Sequence, residues 1–414
     1  MARKLVVCCD GTWNTPRAET NVFRTYRFLR EALGTPSETG RGEGVRTCSG
    51  RAADGSEVML FYDAGVGTEW FSRLLGGGAG VGLSDNVRDA YHFLGHHFVP
   101  DSEIYLFGFS RGAYTARSLG GFIKVAGLLD KPTPTDVWRI YMDRYVLAAR
   151  GSVGVLARPS GWDGDQIRAW LAKKAGEAVG HLGGDVAELP NHGDVKIKFI
   201  GVYDTVGALG VPIPTAARVN EPVVGFHNTG LGDTVEHAVQ ALAVDEKRGP
   251  YVPALWTPGR RRGDPRRAER ASGVVPGRAF RHRRRVPQQG HREHHVDFII
   301  GQAADRGLVI DPARRTPEVT IETLPSQHES FDRAWRDLST KWNLIPEGVR
   351  TIGPTTTGPA GEELRVAPKV MLHSCLVSRI GKRCATLLDE KEDGRQEGDY
   401  IPTNVKADTL PVFG

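Results

Sequence analysis

The 414-residue chain has no run of about 18 apolar residues, which excludes a membrane-spanning helix. Its opening stretch, MARKLVVCCDG, is interrupted by Asp10 and Gly11 before it reaches the length of a secretory signal. Cysteine is scarce: there are five, an odd number, with no Cys-x-x-Cys pair. A disulfide framework and a zinc ribbon are therefore not expected. The thiols read as reduced, structural groups of a protein that is cytoplasmic as synthesised, with no metal site. The glycine-rich stretch 69–83 is not followed by a Walker lysine, and a dinucleotide fingerprint fits it poorly, so no cofactor is expected.

What the chain does have is enough apolar material, 40%, to bury a large core. The net charge of +5 is misleading as an average. Residues 260–292 hold twelve arginines against Asp264 and Glu269, a local balance of +10 that leaves −5 for the remainder. The basic character comes from one segment, so specific nucleic-acid binding is not expected of the whole surface. No internal repeat is evident.

Strand-like and helix-like segments alternate along the first two thirds. Residues 4–9, 58–62, 104–107 and 196–203 read as strands, whereas 22–33, 84–97, 114–125 and 234–244 read as helices. On the second helix Val87, Ala90, Tyr91 and Leu94 share a face. The alternation implies an α/β fold with a mainly parallel, doubly wound sheet. Residues 130–190 are helical and irregular, either a cap over the carboxyl edge of the sheet or a pair of ordinary surface helices. Residues 345–414, rich in Pro, Gly and Thr, read as irregular packing against the core, which leaves a single domain over 1–414.

Residues 105–113, YLFGFSRGA, have the layout of a nucleophile elbow: an apolar strand, a sharp turn on Ser110 flanked by Gly108 and Gly112, then a helix. The alternative is that Ser110 caps the helix N-terminus. A serine nucleophile needs a base, and the base needs an orienting carboxylate. Asp204, directly after the strand KIKFIGVY, would emerge at the carboxyl edge as that acid, or would brace a loop there. The oxyanion requires two converging N–H donors. Arg111 supplies one by position, and the loop carrying Asp10, Gly11, Thr12 and Asn14 is the best source of the other, from Gly11 or Thr12. Asp10 and Asn14 are supporting candidates. No histidine after Asp204 has a decisive local signature; His227, His282 and His373 are substitute candidates for the base, while His237 falls in a predicted helix.

The segment 259–296 has two competing explanations. As a basic arm it would bind anionic surfaces without catalysing anything. As a translated frameshift it would be disordered, since unpaired arginines repel one another and bury little. Residues 273–286 read GVVPGRAFRHRRRV. With valine codons GTG and GTT, a one-nucleotide shift yields Trp-Phe, and permitted choices of the other codons extend this to WFPGVHSDIGGGY. The histidine of that motif would straddle Ala279 and Phe280.

Together VCCDGTWN, FYDAGVGT (61–68), GFSRGAYTAR (108–117), VYDTVGALG (202–210), ALAVDEKR (241–248) with Trp256, and YIPTN (400–404) resemble one group of proteins. It is the α/β-hydrolase family that includes the phospholipase effectors of bacterial type VI secretion. The resemblance implies an α/β-hydrolase fold, Ser110 as nucleophile, Asp204 as acid, and a lipid ester as substrate. It also leaves export by a secretion apparatus open. The family's histidine lies in a WFPGVHSDVGGGY-like motif, which this chain lacks as written and the shifted frame restores. Trp70, Phe71, Leu74 and Leu75, beside the glycines of 69–83, would form an apolar lid touching membrane or simply a packed helix and turn.

Overall fold

The computed structural model describes residues 3–11, 16, 20–40, 44–65, 81–146, 188–205, 233–243, 254–256, 271–275, 289–308, 327–328, 355–357, 363–365, 369–373, 383–387, 395–399 and 412–413. Its centre is a ten-stranded sheet. The strands are β1 (Arg3–Cys9), β2 (Gly34–Thr39), β3 (Arg46–Arg51), β4 (Glu57–Asp63), β5 (Glu103–Phe109), β6 (Ile197–Tyr203), β7 (Val235–Ala243), β8 (Ala271–Val275), β9 (Lys369–His373) and β10 (Val412–Phe413). In space they run β10-β9-β8-β7-β6-β5-β1-β4-β3-β2. All neighbours from β10 to β4 pair parallel. The hairpin β2–β3 adds antiparallel to β4 and closes that side.

Alternation along β1 shows why the chain needs two helical layers. Leu5, Val7 and Cys9 point into one core, Val6 and Cys8 into the other, all essentially buried. One layer contains α1 (Asn21–Glu31) and α5 (Gln289–Ala304), through Val22, Tyr26, Leu29, Ile299 and Ala303. The other contains α2 (Val81–His97), α3 (Arg111–Ala126) and α4 (Pro134–Ile140), which runs into a π-helical turn at Tyr141–Val146. Tyr91 of α2 stacks on Phe122 of α3 with centroids 4.2 Å apart, and its hydroxyl donates to the Gly127 carbonyl. Phe122 also meets Tyr141 edge to face. The face Val87, Ala90, Tyr91 and Leu94 is fully buried.

Two expectations need correction. Residues 234–244 form no helix: Val235–Ala243 is a central strand paired with β6 and β8. Its small apolar residues, buried from Ala238 to Leu242, satisfy helical spacing too, and only sheet pairing on both sides decides between them. Second, 259–296 is not structureless throughout. Ala271–Val275 pairs with β7 and β9, and α5 begins at Gln289. The short ASGVV run is free of arginine and small enough to lie between two strands. Of the insertion 130–190, the described helix α4 packs on α2 and the π-helical turn after it packs on α3, with Val137 and Ile140 in the same core. Residues 147–187, the stretch 66–80 and most of 345–414 lie outside the described residues. Short strands also form within that last region, Thr355–Thr357 with Glu363–Arg365 and Arg383–Leu387 with Arg395–Asp399, and Gln327–His328 from earlier in the chain joins Arg383–Leu387.

Among the described residues no helix is long and apolar enough to cross a membrane. The core around α3 provides a direct stability test. Phe122→Ala removes a fully buried ring held between Tyr91 and Tyr141, and is expected to lower unfolding free energy by about 3–5 kcal/mol in urea titration.

Candidate active site

The parallel strands share one carboxyl edge, and among the described candidates Asp10, Gly11, Ser110, Arg111, Asp204 and His373 lie at or just past strand ends there. Cys9 pairs with Asp63 on one side and Gly108 on the other, while Phe109 pairs with Tyr203. Ser110 and Asp204 are thus each one residue past a registered pair on adjacent strands. Adjacent strands lie about 4.8 Å apart. The Ser110 N–H donates to the Tyr203 carbonyl at 3.0 Å, and the Asp204 N–H to the Ala241 carbonyl at 2.8 Å, so both backbones are tied to the sheet.

Ser110 has φ 55° and ψ −116°, a conformation that an L residue holds only under constraint. Asp204 also has positive φ, 43°. The strand stops at Phe109 and α3 begins at Arg111, with Ser110 as the bend. Glycines on either side are required by space. A Cβ on Gly108 would lie 2.5 Å from the Ala113 Cα, and one on Gly112 would meet the carbonyl oxygens of Cys9 and Asp10. Ser110 occupies the N-cap position of α3 but makes no side-chain capping bond. Its hydroxyl therefore stands at a helix N-terminus, where the macrodipole favours negative charge. Arg111 is the first helical residue, and helix geometry aims its N–H outward at the same end.

The loop after β1 is organised by Asp10. Its Oδ1 accepts the Gly11 N–H at 2.7 Å, and its Oδ2 accepts the hydroxyls of Thr20 at 2.5 Å and Tyr62 at 2.9 Å. Thr20 also caps α1 by accepting the Phe23 N–H. One carboxylate thus joins the loop, α1 and β4. The Gly11 N–H is committed to Asp10, so in this conformation it does not point to an oxyanion. Thr12 and Asn14 lie outside the described residues, as do His227 and His282.

His373 ends β9 at the same edge. Between it and β6 lie β8 and β7, so it is three strand spacings, roughly 14 Å, from the Asp204 strand. That is beyond direct hydrogen-bonding reach of an imidazole, which removes His373 as a simple replacement base. His237 sits on β7, not on a helix. Among the described residues no group of His, Cys, Asp or Glu is arranged to hold a metal.

Sequence reasoning missed the residues behind the acid. The Ala254 N–H donates to the Thr205 carbonyl at 2.7 Å, and the Ala254 carbonyl accepts from Arg117 Nη1 at 2.5 Å and Gln240 Nε2 at 3.3 Å. The sequence offered no local signal for Arg117 and Gln240, since α3 and β7 each carry other charged or polar residues.

Burial sets the electrostatics of the edge. It pushes the Asp10 carboxyl up to about 7, against the lowering effect of its three hydrogen bonds, and Asp63 up to about 6. A folded pKa raised above its unfolded value means that folding takes up a proton between the two. Asp10 therefore stabilises the fold least as pH rises through about 7. His92 and His97, lowered by burial, act with the opposite sign at mildly acid pH. Comparing Asp10→Asn with the parent isolates the carboxyl. The parent's stability relative to the variant is expected to fall between pH 5 and 7.5, by up to about 1.4 kcal/mol per pH unit in urea midpoints. A pH-independent difference would contradict the assignment.

Residues 3–335 match the family described as T6SS, phospholipase effector Tle1-like, catalytic domain. A Saccharomyces cerevisiae protein described as uncharacterized is 26% identical over 282 residues, covering 62% of this chain and 33% of that relative. Two solved structures are also similar. The Tle1 effector bound to the VgrG spike of the type 6 secretion system is 14% identical, with 71% of this chain and 51% of that chain covered and a TM-score of 0.30. An uncharacterized protein from Pseudomonas aeruginosa is 15% identical, with 78% and 48% covered and a TM-score of 0.32. The chain spans about a third of the yeast relative and about half of each solved chain. The match over most of its length shows that this chain belongs to the Tle1-like phospholipase effector catalytic-domain family.

Proposed function

We propose that this fold is an α/β-hydrolase scaffold for cleaving carboxylic esters of lipid-like substrates, with Ser110 as nucleophile and Asp204 as the acid of a Ser-Asp-His triad. The observation that carries the reading is the paired placement of Ser110 and Asp204, each held at positive φ one step beyond registered strand partners. Family membership supports a phospholipase-like substrate class.

In the reaction, the Ser110 hydroxyl gives its proton to an imidazole and its oxygen attacks the ester carbonyl. The negative charge forms on the carbonyl oxygen, at the N-terminus of α3, within reach of the Arg111 N–H. Of the two loop candidates for the second donor, Gly11 has its N–H held by Asp10, and Thr12 is the assignment that remains to be tested. Collapse expels the alcohol, which takes the proton from the imidazolium, and water then hydrolyses the acyl-enzyme by the same sequence. Asp204 keeps the imidazole in the right tautomer throughout.

The imidazole is what the chain as written lacks. β8 ends at Val275, and the shifted reading frame would put a histidine four to five residues later. β8 is two strand spacings, roughly 10 Å, from β6, close enough for a loop to fold back over Asp204. On this reading the chain as given is an impaired hydrolase, and restoring the frame restores the base.

A second reading is non-catalytic binding of anionic surfaces through 260–292, favoured by the +10 balance of that stretch. Salt-sensitive binding to acidic vesicles, lost when those arginines are neutralised, would favour it.

The nucleotide sequence across codons 256–298 is expected to encode WFPGVHSDIGGGY in a neighbouring frame. A frame-restored protein should hydrolyse a short p-nitrophenyl ester. Ser110→Ala should abolish that turnover, and Asp204→Asn should reduce kcat roughly a thousandfold or more. Undiminished hydrolysis by Ser110→Ala removes the nucleophile assignment.

A further inference from the structure

We infer that Arg117 is a positioning residue that locks the acid loop to the nucleophile's own helix, by way of the Ala254 carbonyl. The inference rests on the reading of Asp204 as the triad acid. α3 begins immediately after Ser110, and Arg117 lies on its second turn. From there Arg117 Nη1 donates to the Ala254 carbonyl at 2.5 Å, and the Ala254 N–H donates to the carbonyl of Thr205, the residue after Asp204. The path from nucleophile to acid therefore closes through two hydrogen bonds, in addition to the direct Ser110 N–H to Tyr203 bond.

Three features distinguish this arrangement from incidental packing. Gln240 Nε2, from a fully buried side chain on β7, donates to the same Ala254 oxygen at 3.3 Å, so one carbonyl collects donors from a helix and a strand. The Arg117 guanidinium also lies 5.2 Å from the ring centroid of Trp256, which is itself buried, so the segment 254–256 is held by both its backbone and its side chain. Finally, a charged donor in this layer is costly to desolvate, as the lowering of Arg117 to about 10 reflects; it still remains cationic at neutral pH and its bond to a carbonyl is correspondingly strong. Asp204 holds a positive φ, a conformation that persists only when its surroundings over-determine it. The clamp adds to that constraint through the Thr205 carbonyl, which accepts the Ala254 N–H.

The test uses the full chain as it stands and its frame-restored form. In the chain as it stands, hydrogen exchange is followed by mass spectrometry in peptides covering 197–205 and 254–256, with β1 and β4 peptides as reference. Arg117→Met is expected to speed exchange at the Asp204 and Ala254 amides by about tenfold, leaving β1 and β4 unchanged, and Arg117→Lys should recover part of the protection. Unchanged exchange at those two amides, or equal acceleration in every strand, overturns the clamp. In the frame-restored protein, Arg117→Met should lower kcat by about tenfold with KM little changed, again partly rescued by lysine. Undiminished kcat in a parent whose turnover depends on Ser110 overturns the positioning role. A parent with no such turnover counts against the hydrolase reading, and the exchange experiment alone then decides the clamp.

Discussion

The architecture of the edge depends on how closely α3 can approach the end of β1. Gly112 passes the carbonyl oxygens of Cys9 and Asp10 at a distance that no side chain would tolerate, and Gly108 permits the same intimacy with Gly112 and Ala113. Only with both hydrogens in place can the chain reverse on Ser110 without leaving the sheet. The strained backbone of Ser110 is the other face of this constraint: the Tyr203 carbonyl fixes its N–H, and the first turn of α3 fixes its carbonyl side. A hydroxyl placed this way is oriented by backbone, not by the rotamer preferences of its neighbours.

The elbow was legible because its signal is local. A strand, a glycine-flanked serine and a helix succeed one another within about two dozen residues, and each glycine has a steric reason to be there. Asp204 was legible for a similar reason, as a carboxylate at the end of a strongly apolar strand. β7 was not, because VEHAVQALA places small residues at spacings that suit both a helix and a strand buried on two faces. Its identity comes from β6 and β8, which no window of sequence contains. The network around Asp10 joins Gly11, Thr20 and Tyr62, and the last of these is fifty-two positions away. The contact between Arg117 and Ala254 spans 137 positions. Polar contacts at such separations leave no periodic trace.

Asp10 has a role of its own in how the edge is held. A carboxylate receiving three donors would ordinarily be strongly acidic, yet depth in the molecule outweighs those bonds. Its neighbour at the same edge, Asp63, is raised for the same reason and accepts the Gly65 N–H. Two acids thus share a dry rim close to a helix N-terminus, and Asp10 ties Gly11 and Thr20 to it by hydrogen bonds. Ser110 and Asp204 are each tied to the neighbouring strand through their backbone N–H groups.

The hairpin at the far side of the sheet has a different consequence. β2 slips register between Gly34 and Ser37, contains Pro36, and bends at Thr35 with φ 40°. Glu38 is drawn inward by Arg30 and Tyr26. An outermost ribbon with a kink, a missing amide hydrogen and an inturned acid offers a poor template for another chain's backbone. On that flank the sheet is finished, and copies of this molecule meeting there would find no continuous ladder along which to polymerise.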